Sequence, residues 1–437
     1  MRTMWRPWHF FRLAIALTWP LMFGPMASGE PISLRRAVDL ALSHATGASA
    51  ATADQERAYN SYREAKLAYV PQVAVGAGLG WSHGFPLSLE GSAPSLFNVT
   101  SQSVLFNPAQ RDFQRAARGE WSAATIASKD QRAQVMQDTV LTYTELVKWR
   151  QQMDDLRVEE AAAAKLEQSV QERLREGVDS QVDLNKAKLA TARVRLRVAE
   201  TAGSADVLRN RLEQLTGLAA GSIAVIPDSV PAFPEINQEE DLATKAAESD
   251  LAVKASEERE RAQSFKARAE HRSLLPTADF AMQYAILARY NNYADFFKTF
   301  ERHNASIGVV LRFPFFSLSQ KARAEAADAE AVKARAETKA AREKVSTETL
   351  RIQRSVQQLA AAREVADLEL QIAQSGFEAA QTKLDAGNGT LHEVEDARSE
   401  ASSRRNALAD TVLQLDRARI TLLRSTGELE KWVQSAP

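Results

Sequence analysis

The chain has 437 residues, and 55 Lys+Arg stand against 56 Asp+Glu, so it lacks the basic excess of a nucleic-acid-binding surface. It has no cysteine, which excludes disulfides, thiolate metal sites and a thiol-linked lipid anchor. Glycine (18) and proline (14) are sparse and much of the 45% hydrophobic content is alanine, the composition of long helices rather than of a compact α/β enzyme.

Residues 1–29 read as an export signal. Arg2, Arg6 and Arg12 precede the apolar run Leu13 to Phe23, and Ala27-Ser28-Gly29 supplies small residues for cleavage. The mature chain is expected to begin near Glu30. Beyond it no stretch approaches the roughly 18 continuous apolar residues of a spanning helix, so insertion into a membrane would require a β-barrel.

The rest of the chain is written twice, with a shift of about 210 residues. Gly177 falls on Gly387, Thr216-Gly217 on Thr426-Gly427, Leu105-Phe106 on Phe315-Phe316, and Gln110-Arg111 on Gln320-Lys321. This divides the chain into repeat 1 (30–217), a Pro-rich linker (218–238), repeat 2 (239–432) and a tail (433–437). Each repeat predicts a helix, two strands joined by a polar loop, and two very long helices. The leading helices are expected as continuous segments over 34–67 and 239–271.

The expected strands lie near 72–81, 97–106, 277–286 and 304–313. In Thr277 to Ile286, Ala278, Phe280, Met282, Tyr284 and Ile286 alternate with small or polar residues. Asn304 to Phe313 and Gln72 to Trp81 show the same period of two, while 97–106 alternates poorly and is placed by repeat symmetry. Ten residues is about what a tilted strand needs to cross a bilayer. Four strands cannot close a barrel, whereas three copies would supply about twelve. The fold class expected is therefore an α+β membrane protein: four barrel strands per chain and a long helical coiled coil.

From Ala109 to Glu176 and from Leu318 to Ala386 nothing interrupts helix, and each would extend roughly 100 Å. Val394, Ala401, Leu408, Leu415 and Leu422 recur every seven residues, and Leu184, Thr191, Val198, Ala205 and Leu212 follow the same seam. The stripe fits either a thin-walled helical tunnel or a solid antiparallel bundle. Between the long helices, Gly177 and Gly387 sit where a helix end calls for positive φ, and Asp179 or Ser180, and Thr390, can cap the next helix.

No enzyme emerges from these residues. The six histidines are scattered without a His-x-x-x-His pair, no metal site is formed and no cofactor is implied. Gly76-Ala77-Gly78-Leu79-Gly80 lies inside a strand and no P-loop lysine follows it.

Taken in order and in duplicate, these segments resemble the TolC-like outer membrane factors, the outer membrane efflux protein family. The resemblance rests on Leu-Phe-Asn-Pro at 105–108 and Phe-Pro-Phe-Phe-Ser at 313–317, on 177–184 (Gly-Val-Asp-Ser-Gln-Val-Asp-Leu) and on 212–217 (Leu-Glu-Gln-Leu-Thr-Gly). It implies a homotrimer whose barrel sits in outer-membrane lipid above a periplasmic helical tunnel. It further implies a periplasmic adaptor (membrane fusion protein) and an inner-membrane pump of RND, ABC or MFS type. It places adaptor docking at Gly177, Val178, Asp179, Ser180, Gly387, Asn388, Gly389 and Thr390, and a channel constriction at Glu393, Asp396 and Asp183. For those acids the alternative is ordinary solvated helix charge. The tyrosine and arginine that latch the throat in the best-known member are Leu384 and Gly389 here. The competing class is a periplasmic coiled-coil adaptor or scaffold, against which the ten-residue alternating strands weigh.

Overall fold

The computed structural model describes residues 30–78, 95–219, 221–234, 241–287 and 301–436. The expected export signal, the far end of the first expected strand (Leu79 to Trp81), residues 235–238 at the end of the linker and 239–240 at the start of repeat 2 lie outside the described residues.

Repeat 1 runs β1 (Glu30–Ile32), α1 (Leu34–His44), α2 (Thr46–Leu67), β2 (Gln72–Gly76), β3 (Ser95–Phe106), α3 (Gln110–Arg175) and α4 (Gln181–Thr216). The linker holds β4 (Ile223–Val225) and a single 3-10 turn, Pro227–Ser229. Repeat 2 follows with α5 (Leu242–Ser249), α6 (Leu251–Arg272), β5 (Thr277–Leu287), β6 (His303–Arg312), α7 (Leu318–Asp385), α8 (Leu391–Ser425) and α9 (Leu429–Gln434).

Each leading helix is two helices, not one. The chain is extended at Ala45 (ψ 128°) and again at Asp250 (ψ 133°). At the second break Asp250 starts the next helix itself, its carboxylate accepting from the Val253 N–H at 3.0 Å. The first break has no such cap. There α1 buries Leu34, Ala37, Val38 and Ala41, whereas α2 buries Ala48 alone, so packing redirects the chain.

The sheet order is β2-β3-β5-β6, with every neighbouring pair antiparallel. Because residues directly opposite share a face, the register sorts the side chains into two surfaces. One carries Val73 and Val75, Phe97 and Val99, Phe280, Met282 and Tyr284, then Ile307, Val309 and Leu311. The other carries Gln72, Asn98, Thr100, Gln102, Gln283, Asn304 and Ser306. The weak alternation of β3 has a physical origin: Ser101 and Ser103 stand on the apolar face, and register shifts interrupt the pairing near both ends of the strand.

No second layer covers the apolar face among the described residues. Val75 is 66% exposed and Ile307 73%, so the face is built for a surrounding that is not water. On the opposite face the acidic Asp279 and the basic Arg312 are paired at 3.3 Å at the helical end. Among the described residues no helix is long and apolar enough to cross a membrane.

The long helices form two antiparallel hairpins, α3 with α4 and α7 with α8. Most of the heptad seam is buried: Leu184, Leu212, Leu415 and Leu422 are closed off, as are Ala205 and Ala401, and Thr191 sits on the seam with its hydroxyl donating to the Ala163 carbonyl at 3.3 Å. In the first turn of α3 the buried Asp112 accepts from Arg272 Nη1 at 2.6 Å, which ties that helix to the end of α6 in the other repeat.

A belt crosses the middle of α3. β1 pairs in parallel with β4, Glu30 opposite Ile223 and Ile32 opposite Val225. These strands close on a core of Ile32, Leu34, Val140, Leu146, Leu212 and Ile420, completed from the C-terminal end by Trp432 and Val433. The Trp432 indole donates to the Ala232 carbonyl at 3.1 Å and stacks on Phe233. At the centre lies Tyr143, fully buried. Its hydroxyl donates to the Ile32 carbonyl at 2.7 Å, accepts from the Ile226 N–H at 2.9 Å and meets Ser229 Oγ at 2.7 Å. Burial holds the phenol above its usual range, so it stays a donor at any physiological pH.

Tyr143→Phe leaves the Ile226 N–H and the Ile32 carbonyl without this partner. We expect a loss of about 1–3 kcal/mol, read as a lowered denaturant midpoint of the detergent-solubilised protein. An unchanged midpoint would show that the belt does not depend on this hydroxyl.

Candidate functional site: the paired hairpin tips and their charged neighbours

The two hairpins close their turns through the same pair of backbone bonds. In the first, Gly177 adopts φ +78°, its N–H donates to the Leu174 carbonyl (3.0 Å), and the Val178 N–H reaches back to Arg173 (2.9 Å). In the second, Gly387 adopts φ +74°, donates to Leu384 (2.9 Å), and the Asn388 N–H reaches Lys383 (2.9 Å). These paired bonds satisfy the last carbonyls of α3 and α7, and the left-handed residue is what makes them reachable.

The next helix starts equally alike. Ser180 caps α4 and Thr390 caps α8, each hydroxyl accepting from the N–H three residues on, at 3.3 Å in both cases. Asp183 and Glu393 complete the exchange, their carboxylates accepting from the backbone N–H of Ser180 (3.0 Å) and Thr390 (3.5 Å). Two of the three residues singled out as constriction acids, Asp183 and Glu393, thus occupy equivalent helix-capping positions. Asp183 also accepts from the Ser180 hydroxyl at 2.6 Å, and these bonds hold its carboxyl below the usual range.

The turns differ in chemistry. Arg173 grips Asp179 through two bonds, of 3.0 and 3.1 Å, and pins the first turn. The equivalent positions in the second turn are Lys383 and Gly389. A side chain at Gly389 would bring its Cβ to within 2.8 Å of the Leu384 nitrogen, so the turn closes there on bare backbone. Val178 and Val182 are exposed at 62% and 60%, which makes the first tip the more apolar.

Three residues that the sequence reading passed over complete the site. Lys186, in the second turn of α4, brings its Nζ to within 3.3 Å of His392 Nε2 on α8. The same imidazole nitrogen lies 3.4 Å from Asp396 Oδ2, one helical turn further along α8. Beside them Glu395 is half-buried; burial raises its carboxyl above the usual range, Asp396 and Asp183 push the same way, and His392 and Lys186 oppose. Asp183 and Asp396 therefore share one neighbourhood, whereas Glu393 is exposed on its own helix cap. The repeat shift held one clue to this cluster: it lays Lys186 on Asp396, opposite charges at equivalent positions.

An open antiparallel sheet with one apolar face, set on two helical hairpins some 100 Å long, defines a channel-forming outer-membrane fold. Solved channels share it across nearly the whole chain. The outer membrane protein VceC of Vibrio cholerae matches with a TM-score of 0.75 at 17% identity, covering 90% of this chain and 96% of that one. The CmeC outer membrane channel of Campylobacter jejuni gives 0.75 at 16% identity (91% and 86% covered). The open-state MtrE outer membrane channel of Neisseria gonorrhoeae gives 0.72 at 17% identity (91% and 89%). No curated protein matches the chain in sequence. Residues 242–428 match the family model described as outer membrane efflux protein. That match spans most of repeat 2, and over it the chain is similar to that family. The family matched there is one of outer-membrane transport channels rather than enzymes.

Gly177→Ala and Gly387→Ala each force a side chain into the left-handed region at a cost of about 1–2 kcal/mol. Nothing lies within 4 Å of either added Cβ, so the penalty is confined to the backbone of the turn. Faster hydrogen exchange at Val178 or Asn388, with the belt around Tyr143 unaffected, is the expected result.

Proposed function

We propose that three copies of this chain close into one duct that passively conducts substrate from the periplasm to the exterior. The observation that carries this reading is the four-stranded sheet whose outer strands β2 and β6 have no further strand beside them among the described residues. In lipid, backbone N–H and C=O groups on an open edge have no water to turn to, so another chain's strands must meet them. Three copies give twelve strands, within the range of membrane barrels. The amide- and hydroxyl-bearing face of Gln72, Asn98, Thr100, Gln102, Gln283, Asn304 and Ser306 would line the lumen.

In this reading the energy for transport comes from an inner-membrane pump, delivered through a periplasmic adaptor that docks on the two tips. Residues 177–180 and 387–390 form the docking surface: their backbone bonds are satisfied internally, which leaves Val178 and the turn itself free to meet a partner. Asp183, Glu393 and Asp396 stand in the first two turns above the tips, where three copies would set rings of carboxylates around the throat. Such rings attract cations and repel anions.

Two experiments test the assignment. Replacing Gly177 or Gly387 with tryptophan is expected to abolish export while the trimer still reaches the outer membrane; undiminished export in both variants would remove the docking role. Charge reversal in a Glu393→Lys, Asp396→Lys double variant should shift reversal potentials in planar bilayers toward anion preference. An unchanged potential would place these acids away from the conducting path. Recovery of the purified protein as a water-soluble monomer would overturn the duct altogether.

A further inference from the structure

One imidazole nitrogen, His392 Nε2, stands between an ammonium and a carboxylate. Lys186 Nζ lies 3.3 Å away on α4, and Asp396 Oδ2 lies 3.4 Å away on His392's own helix α8. A single nitrogen cannot serve both. Unprotonated, it is an acceptor that takes a hydrogen bond from Lys186 and presents its lone pair to Asp396. Protonated, it is a donor that suits Asp396 and sets two positive charges face to face with Lys186.

The two partners differ in where they sit. His392 and Asp396 are one turn apart on one helix, so that pair holds nothing together. Lys186 and His392 are 206 residues apart, on the first two turns of α4 and α8, and their bond joins the hairpin of repeat 1 to the hairpin of repeat 2. We propose that His392 is a protonation switch at the tunnel tip. Neutral, it ties the two hairpins together through Lys186; protonated, it withdraws to Asp396 and lets them part. The consequence for conduction rests on the channel reading above, while the movement of the tips does not.

The charged groups facing His392 are Asp183 and Lys186 from α4, and Glu395 and Asp396 from α8. Three carboxylates and one ammonium thus surround the imidazole, and of these groups it is Lys186 that a charge on the ring would repel. The ring is half-exposed, so protons reach it from the periplasmic side without any unfolding. Histidine is the side chain suited to this range, changing charge between about pH 5 and 8.

The absence of cysteine makes the movement directly measurable. Nitroxide labels at Val178→Cys and Asn388→Cys report the distance between the tips of one chain, with labelled chains diluted into unlabelled trimers. Acidification from about pH 7.5 to about pH 5.5 is expected to lengthen that distance. In His392→Gln, whose amide still accepts from Lys186 but does not titrate, the distance should stay short at both pH values. In Lys186→Met it should be long at both. Planar-bilayer conductance of the full-length protein should follow, rising about threefold or more in the native sequence and remaining flat in both variants. A distance that does not move with pH, or one that lengthens just as much in His392→Gln, overturns the switch. Tips that part on acidification in a protein that never conducts would retain the switch and sink the duct.

Discussion

Everything in this chain depends on one unmet need: a four-stranded sheet whose apolar face has no covering layer, and whose outer strands have no further neighbours, among the described residues. A soluble protein would bury such a face against helices, but here every helix that leaves the sheet runs away from it. The sheet order β2-β3-β5-β6 draws its strands from both repeats, so each repeat supplies one outer strand. An arrangement of this kind is suited to being joined to copies of itself at both sides.

Duplication gives the molecule its plan, and departures from duplication give it its particular chemistry. The two tips have the same backbone bonds and the same capping exchange, yet Arg173–Asp179 in one is Lys383 and Gly389 in the other. Tyr143, the hub of the belt, falls on Gln353 in repeat 2, and among the described residues the hydrogen bonds that gather β1, β4 and the 3-10 turn belong to the tyrosine, not to the glutamine. Lys186 falls on Asp396, and that inversion of charge is what brings opposite partners to His392. A perfectly repeated chain would have placed like charges at those two positions.

Much of this was legible in the residues because it is local. Period-two alternation in 277–286 and 304–313, heptads through Leu415 and Leu422, and glycines at helix ends each reflect a rule that operates within a few residues. Where local signals were weak, the reading weakened too. β3 carries serines on its apolar face, and the breaks at Ala45 and Asp250 leave little trace in a helix-favouring segment. The three-residue strands β1 and β4 are too short to show any period, and they pair across almost 200 residues.

The sequence by itself determined the duplicated plan, the strand-and-long-helix order and the capped turns, since each follows from backbone preferences and side-chain period along the chain. Tertiary structure decided which groups meet: that Tyr143 gathers the linker, and that Lys186 and Asp396 contend for one imidazole nitrogen. Contacts between residues some 80 to 206 positions apart depend on how whole helices lie against one another. That geometry is a sum over many packed side chains, and no short stretch of sequence contains it.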